Sequence, residues 1–140
     1  MKRRIAERAR HRCEYCLVHE EFSFFRHQVD HIISRKHGGL SGEDNLAYAC
    51  LRCNTWKGTD ISSVDLRSGN LVRLYHPRLD NWDAHFLIRG SVIEPLTEEG
   101  TVTARLLKLN LNKRVAERGL LIAAGRYPAR ASALSCLQAL

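Results

Sequence analysis

Short stretches of alternating or helically spaced apolar residues run along this chain, separated by turn residues. Ile5 and Ala9, four residues apart, predict one face of a short helix within residues 1–12. The next stretches predict two strands and a helix: a strand at 28–33, a loop at 34–43 marked by paired glycines, a strand at 46–48, and a helix from about 50 to 57 that ends before a glycine. This order predicts a small unit of two strands and one helix.

Turn residues dominate the start of the second half. Residues 61–80 are predicted to be a connector that contains one short strand at 71–75. Residues 85–93 and 101–107 alternate or run apolar on either side of Thr97-Glu98-Glu99-Gly100. Those four residues are therefore predicted to form the turn of a β-hairpin.

A last helix is expected near residue 112. Asn110 or Asn112 can cap it, because Asn side chains accept hydrogen bonds from the first backbone N–H groups of a helix. Its apolar face is predicted to hold four residues spaced by three or four, namely Leu111, Val115, Gly119 and Ile122.

Composition narrows the class of protein. The 140 residues fit one domain, or one small site module with a companion. No apolar run approaches the ~20 residues of a membrane span, and the first residues lack the apolar stretch of a secretory signal, so we expect a cytoplasmic protein that binds no membrane. The net charge of +7 favours a polyanionic partner, although charge alone is weak evidence for nucleic acid.

Four of the five cysteines form two Cys-x-x-Cys pairs, Cys13 with Cys16 and Cys50 with Cys53. Two such knuckles can surround one ion with four thiolates, which predicts a closed, structural Zn²⁺ site. A redox Cys-x-x-Cys is the alternative, but it would need a single pair near a βαβ pattern. Cys136 stands apart and is expected to be a buried or idle thiol.

The residues between and after the knuckles carry the candidate chemistry. They run in the order Val29-Asp30-His31-Ile32-Ile33, His37-Gly38-Gly39, Asn45-Leu46 and Cys50-Leu51-Arg52-Cys53-Asn54-Thr55-Trp56-Lys57-Gly58. Over about residues 13–58 this series resembles the HNH endonuclease family, in its zinc-stapled variants. The resemblance implies a ββα-metal finger that holds one divalent cation.

The same resemblance implies a role for each motif residue. His31 would be the general base, Asp30 and Asn54 the metal ligands, and Asn45 a brace for the loop that presents His31. A neutral imidazole can deprotonate water near neutral pH. Asn54 stands where the family name has its final His, and an amide oxygen favours Mg²⁺ or Mn²⁺ over softer metals.

Several polar residues near the motif are expected to contact nucleic acid, double-stranded DNA above all. They are Arg35, Lys36, His37 and Lys57. Lys57 can equally be a solvated helix end, where a cation is favourable.

Residues 75–86 resemble a segment that follows the finger in some small bacterial HNH proteins. This second resemblance implies no function. His76, Asp83 and His85 could suggest another metal site, but their spacing does not demand one, and a structural role is favoured.

Together these features predict an α+β fold with a zinc-stapled ββα core, an N-terminal helix, and a C-terminal β-hairpin and helix. Residues 1–60 would be the nuclease module, 61–127 an extension that packs on it, and 128–140 a tail. The predicted function is metal-dependent cleavage of nucleic acid, with structural Zn²⁺ and catalytic Mg²⁺ or Mn²⁺. A non-catalytic zinc-stabilised nucleic-acid-binding module and a zinc adaptor for protein interaction are the alternatives.

Overall fold

Short helices and strand pairs make up the computed structural model, which describes residues 1–128. The helices are α1 (Lys2–Arg8), α2 (Leu51–Lys57), α3 (Trp82–His85), α4 (Glu98–Leu106) and α5 (Asn112–Ala123). The strands are β1 (Gln28–His31), β2 (Leu46–Ala49), β3 (Ser62–Val64), β4 (Leu71–Arg73), β5 (Phe86–Arg89) and β6 (Val92–Pro95). Consecutive strands pair antiparallel as β1-β2, β3-β4 and β5-β6, which confirms the predicted α+β class.

The predicted ββα unit is formed by β1, β2 and α2. In the β1-β2 pair, Asp30 lies opposite Ala47 and His31 opposite Leu46. Every residue of β2 is buried, so this short strand lies inside the fold rather than at its surface. The α1 helix covers it, because Ile5 and Ala6 pack with Leu46 and Tyr48 in one apolar cluster.

The predicted position of the C-terminal β-hairpin is wrong. Strands β5 and β6 pair around Gly90, whose φ of +61° suits a tight turn, and residues 98–106 are helical. Thr97 is the N-cap of α4: its side chain accepts a hydrogen bond from the Gly100 N–H, and two acidic residues occupy the first turn. The Thr-Glu-Glu-Gly stretch is therefore a helix start, since a capping Thr and early carboxylates stabilise a helix N-terminus.

The start and buried face of α5 also differ from the prediction. Leu111 is the N-cap residue and makes no side-chain cap, while the Asn110 amide bonds both the N–H and the C=O of Ile93. The buried residues of the helix are Arg114 and Arg118, whereas Leu111 and Ile122 are exposed. Two long cations are therefore the buried residues of α5, and the four predicted apolar positions are exposed or half-buried.

The largest buried cluster draws on both halves of the chain. From the first half it includes the paired cysteines, Tyr15 and Ala47, and from the second half Trp82, Phe86, Leu107 and Tyr127. No helix within residues 1–128 is long and apolar enough to cross a membrane. Residues 129–140, including Cys136, lie outside the described part of the chain.

Candidate functional site

Four buried cysteines form a compact sulfur cluster. The ligand atoms of Cys13, Cys16, Cys50 and Cys53 all lie within 4.8 Å of one another, and no other comparable group of His, Cys, Asp or Glu occurs in residues 1–128. The Cys16 and Cys50 sulfurs are 3.8 Å apart. Tetrahedral zinc with Zn–S bonds of about 2.3 Å would separate its sulfurs by about 3.8 Å. The cluster therefore fits a structural zinc site.

Backbone N–H groups point at these sulfurs. Tyr15 and Cys16 each donate to Cys13 Sγ, and Cys53 donates to Cys50 Sγ, all at 3.4 Å. Burial raises the pKa of the Cys13 and Cys53 thiols well above the usual range. Thiols packed this closely and away from water do not ionise together easily, so a dication that stabilises the thiolates suits this cluster.

Asp30 lies beneath the surface of the ββα unit in a small polar network. Its Oδ2 is 3.1 Å from Lys57 Nζ, and it accepts a longer hydrogen bond, 3.4 Å, from the Tyr15 hydroxyl. Asp30 is 7% and Lys57 2% exposed. Burial raises the pKa of the Asp30 carboxyl, and the Lys57 ammonium offsets this only in part.

His31 ends β1 and is half-buried. Its Nε2 shares a 2.9 Å hydrogen bond with Ser41 Oγ, which also accepts one from Arg35 Nη2 at 3.2 Å. Neighbouring strand residues point to opposite sides, so Asp30 turns toward Lys57 on α2 while His31 turns toward the loop. The contact with Ser41 was not predicted, because a Ser in a loop carries no signal of its own.

The loop after His31 is held by Asn45. Its Oδ1 accepts from the Ile33 N–H at 2.9 Å, and its Nδ2 donates to the carbonyls of Ile33 and Leu40 at 2.9 and 2.7 Å. At Gly39 an added Cβ would lie 1.7 Å from the Ile33 oxygen, so only glycine fits. These contacts suit the bracing role that the resemblance implies for Asn45, which stays a prediction.

Asn54 contacts β1 at Gln28, two residues before Asp30. Its Nδ2 donates to Gln28 Oε1 at 2.6 Å. One turn further along α2, Lys57 reaches Asp30. The two expected metal ligands, Asp30 and Asn54, are therefore each engaged with another side chain.

Comparison with known protein families supports the resemblance that the motif residues indicate. The family model described as HNH endonuclease matches part of the chain. The match extends over residues 13–60, which we call the HNH segment. The match spans all four clustered cysteines, His31 and the α2 helix, and it indicates a nuclease or another nucleic-acid-related function. Comparison with curated proteins and with solved structures gives no match.

One predicted contact of the HNH segment needs correction. Lys57 was expected at a phosphate or at a solvated helix end, yet it is buried and bonded to Asp30 and to the His31 carbonyl, the latter at 3.1 Å. Reaching a phosphate would require breaking a buried ion pair. In contrast, Arg35, Lys36 and His37 are exposed on a short 3₁₀ turn beside His31.

Asp30 and Asn54 carry the oxygen ligands expected for the catalytic ion, but the Asp30 carboxylate is already paired with an ammonium. A carboxylate and an amide oxygen are the groups that Mg²⁺ and Mn²⁺ prefer. Asn54 is half-buried beside the exposed Gln28, so its amide is close to solvent. Asp30 already has Lys57 as its counter-charge, so a divalent cation there must share or displace that ammonium.

Residues 75–86 contact the first knuckle of the HNH segment. Arg78 forms an ion pair with Glu14, and Trp82 Nε1 donates to the Tyr15 carbonyl at 2.9 Å. His76 Nδ1 accepts hydrogen bonds from two backbone N–H groups of its own turn. The segment without an expected function thus fastens the second half of the chain to the cysteine cluster.

Proposed function

We propose that the HNH segment hydrolyses phosphodiester bonds of nucleic acid, with DNA as its substrate and His31 as the general base. The observation that carries this proposal is the position of His31 at the C-terminal end of β1, where its side chain is half-buried. Its imidazole bonds a loop hydroxyl, its carbonyl is held by Lys57, and the loop that follows is braced by Asn45.

His31 would accept the proton of the attacking water. A neutral imidazole suits this step near neutral pH. Ser41 would fix the direction of the ring through the hydrogen bond at Nε2. Arg35, Lys36 and His37 would bind backbone phosphates, since they lie exposed on the next turn of the chain.

Asp30 and Asn54 would hold one Mg²⁺ or Mn²⁺ ion, which neutralises charge on the phosphate when bound. The oxygen ligands and the half-buried position of Asn54 support this assignment. The four clustered cysteines would bind a separate zinc ion that has only a structural role, since four thiolates leave no position for water.

Contacts between the halves support a single working unit. The pairs Arg78–Glu14 and Trp82–Tyr15 support the proposal that residues 61–127 form an extension packed on the nuclease module, residues 1–60.

A non-catalytic zinc-stabilised nucleic-acid-binding module is the second candidate. The Asp30–Lys57 ion pair favours it, because a carboxylate neutralised by a buried ammonium is a poorer ligand for a dication. Both candidates bind nucleic acid, so only a cleavage measurement separates them.

The test uses supercoiled plasmid and labelled single- and double-stranded oligonucleotides, with Mg²⁺ or Mn²⁺ and protein of measured zinc content. Wild-type protein is expected to nick or linearise DNA, and His31→Ala to lose this activity while still binding DNA in fluorescence anisotropy. His11→Ala is the matched control, since His11 is exposed, hydrogen-bonds Glu20 and lies against the rings of His19 and Tyr48. Wild-type protein that binds but cleaves no substrate with either metal would favour the binding module.

A further inference from the structure

Arg114 brings a buried cation to the cysteine cluster from outside the HNH segment. It lies on α5 and is 4% exposed. Its Nη2 donates to Cys53 Sγ at 3.2 Å and, more weakly, to Cys50 Sγ at 3.9 Å. Its Nη1 donates to the Leu107 carbonyl at 2.8 Å. The guanidinium therefore bridges the second knuckle and the end of α4.

Charge explains why a cation belongs at this position. Four thiolates and one Zn²⁺ carry a net charge of −2, and all four cysteines are buried. An unbalanced charge away from water is strongly unfavourable. Among the hydrogen-bond partners of Arg114 in residues 1–128, the sulfurs are the ones that become anionic, and the others are the carbonyls of Leu107 and Lys108.

The shape of the site suits arginine rather than lysine. Two different nitrogens of one planar group reach the sulfur and the carbonyl, which a single ammonium does not reproduce. The Trp56 ring lies on another side, with its centroid 5.6 Å from the Arg114 carbon Cζ. The side chain is thus fixed by α2, α4 and α5 together.

We propose that Arg114 is a positioning residue of the zinc site: it balances part of the cluster's negative charge and holds the Cys53 thiolate by a direct N–H···S bond. Through it, zinc retention by the HNH segment depends on α5, which lies outside the matched residues 13–60. This role is independent of whether the protein cleaves nucleic acid.

Arg118 provides a matched control one turn along the same helix. It is 1% exposed, so its replacement disturbs the core at least as much. Its hydrogen bonds go to oxygens, the Ser91 carbonyl at 2.8 Å and Asn110 Oδ1 at 3.0 Å. Because Arg118 also interacts electrostatically with Cys16 and Cys53, comparing Arg114→Met with Arg118→Met isolates the direct sulfur contact from loss of packing and of positive charge near the cluster.

The experiment follows zinc leaving the full-length, zinc-loaded protein. Zinc transfer to the chromogenic chelator 4-(2-pyridylazo)resorcinol gives the release rate, and circular dichroism reports whether each variant is folded. Arg114→Met should release zinc about 10–100-fold faster than wild type, as expected for a lost hydrogen bond to a metal ligand. Arg114→Lys should fall between the two, and Arg118→Met should stay within about threefold of wild type.

Spectroscopy gives a second readout. In Co²⁺-substituted protein, Arg114→Met should shift the sulfur-to-cobalt charge-transfer band, while Arg118→Met should leave it in place. If a methionine variant does not fold, Arg114→Lys against Arg118→Lys makes the same comparison. Equal zinc release by the Arg114 and Arg118 variants, with an unchanged cobalt band, would overturn the proposal.

Discussion

Replacing Lys57 by methionine would leave the Asp30 carboxylate buried without its cation. The two charges are 3.1 Å apart, which corresponds to an attraction of about 5 kcal/mol at an effective dielectric constant of about 20. Removing one partner of a buried pair usually costs about 3–5 kcal/mol, because the other charge stays desolvated. We expect Lys57→Met to lower the free energy of unfolding by that amount, a large fraction of the 5–15 kcal/mol typical of a domain.

Urea unfolding followed by circular dichroism, with zinc present throughout, measures this effect. The double variant Lys57→Met/Asp30→Leu should be more stable than Lys57→Met alone, since no buried charge is then left unpaired. Lys36→Met is the control, because Lys36 is exposed and should change stability by less than about 0.5 kcal/mol. A loss below about 1 kcal/mol for Lys57→Met would mean that the pair behaves like a surface salt bridge and would refute the reasoning.

Two further substitutions test the loop and the contact between the halves. Gly39→Ala should destabilise the loop after His31, because its Cβ would lie 1.7 Å from the Ile33 oxygen; amide hydrogen exchange of residues 33–45 should rise, and unchanged exchange would contradict the contact. Trp82→Phe should cost about 1–2 kcal/mol in urea unfolding, since it removes the indole donor to the buried Tyr15 carbonyl. Equal stability of the two proteins would show that this hydrogen bond adds nothing.

Local spacing in the sequence predicted the HNH segment well. The two Cys-x-x-Cys pairs predicted a four-sulfur cluster, and the strands predicted at 28–33 and 46–48 match β1 and β2 closely. These predictions held because the spacing within each cysteine pair and the residues of each short strand are local, and because two such pairs supply the four thiolates that one zinc ion binds.

The elements in the second half of the chain were harder to predict, because each local pattern there fits two different structures. Thr97 and the acidic residues after it occur in turns and at helix starts alike, and the pairing of β5 with β6 around Gly90 decided between them. Asn110 resembled a helix cap, but its amide bonds the Ile93 backbone instead.

Contacts across large sequence separations left no local signal. Nothing near Arg114 in sequence indicates its contact with Cys53, 61 residues away. Lys57 resembled a solvated helix end, because its partner Asp30 lies on another element. Buried cations are exceptional, so sequence patterns place them at the surface unless the partner is known.

The central claim is that His31 performs proton transfer in cleavage of DNA. The most direct measurement is the initial rate of supercoiled-plasmid nicking in Mg²⁺ or Mn²⁺, comparing wild type with His31→Ala at equal zinc content and equal DNA binding. We expect a loss of at least about 100-fold for His31→Ala, the size of a general-base contribution. Equal rates for the two proteins would contradict the account.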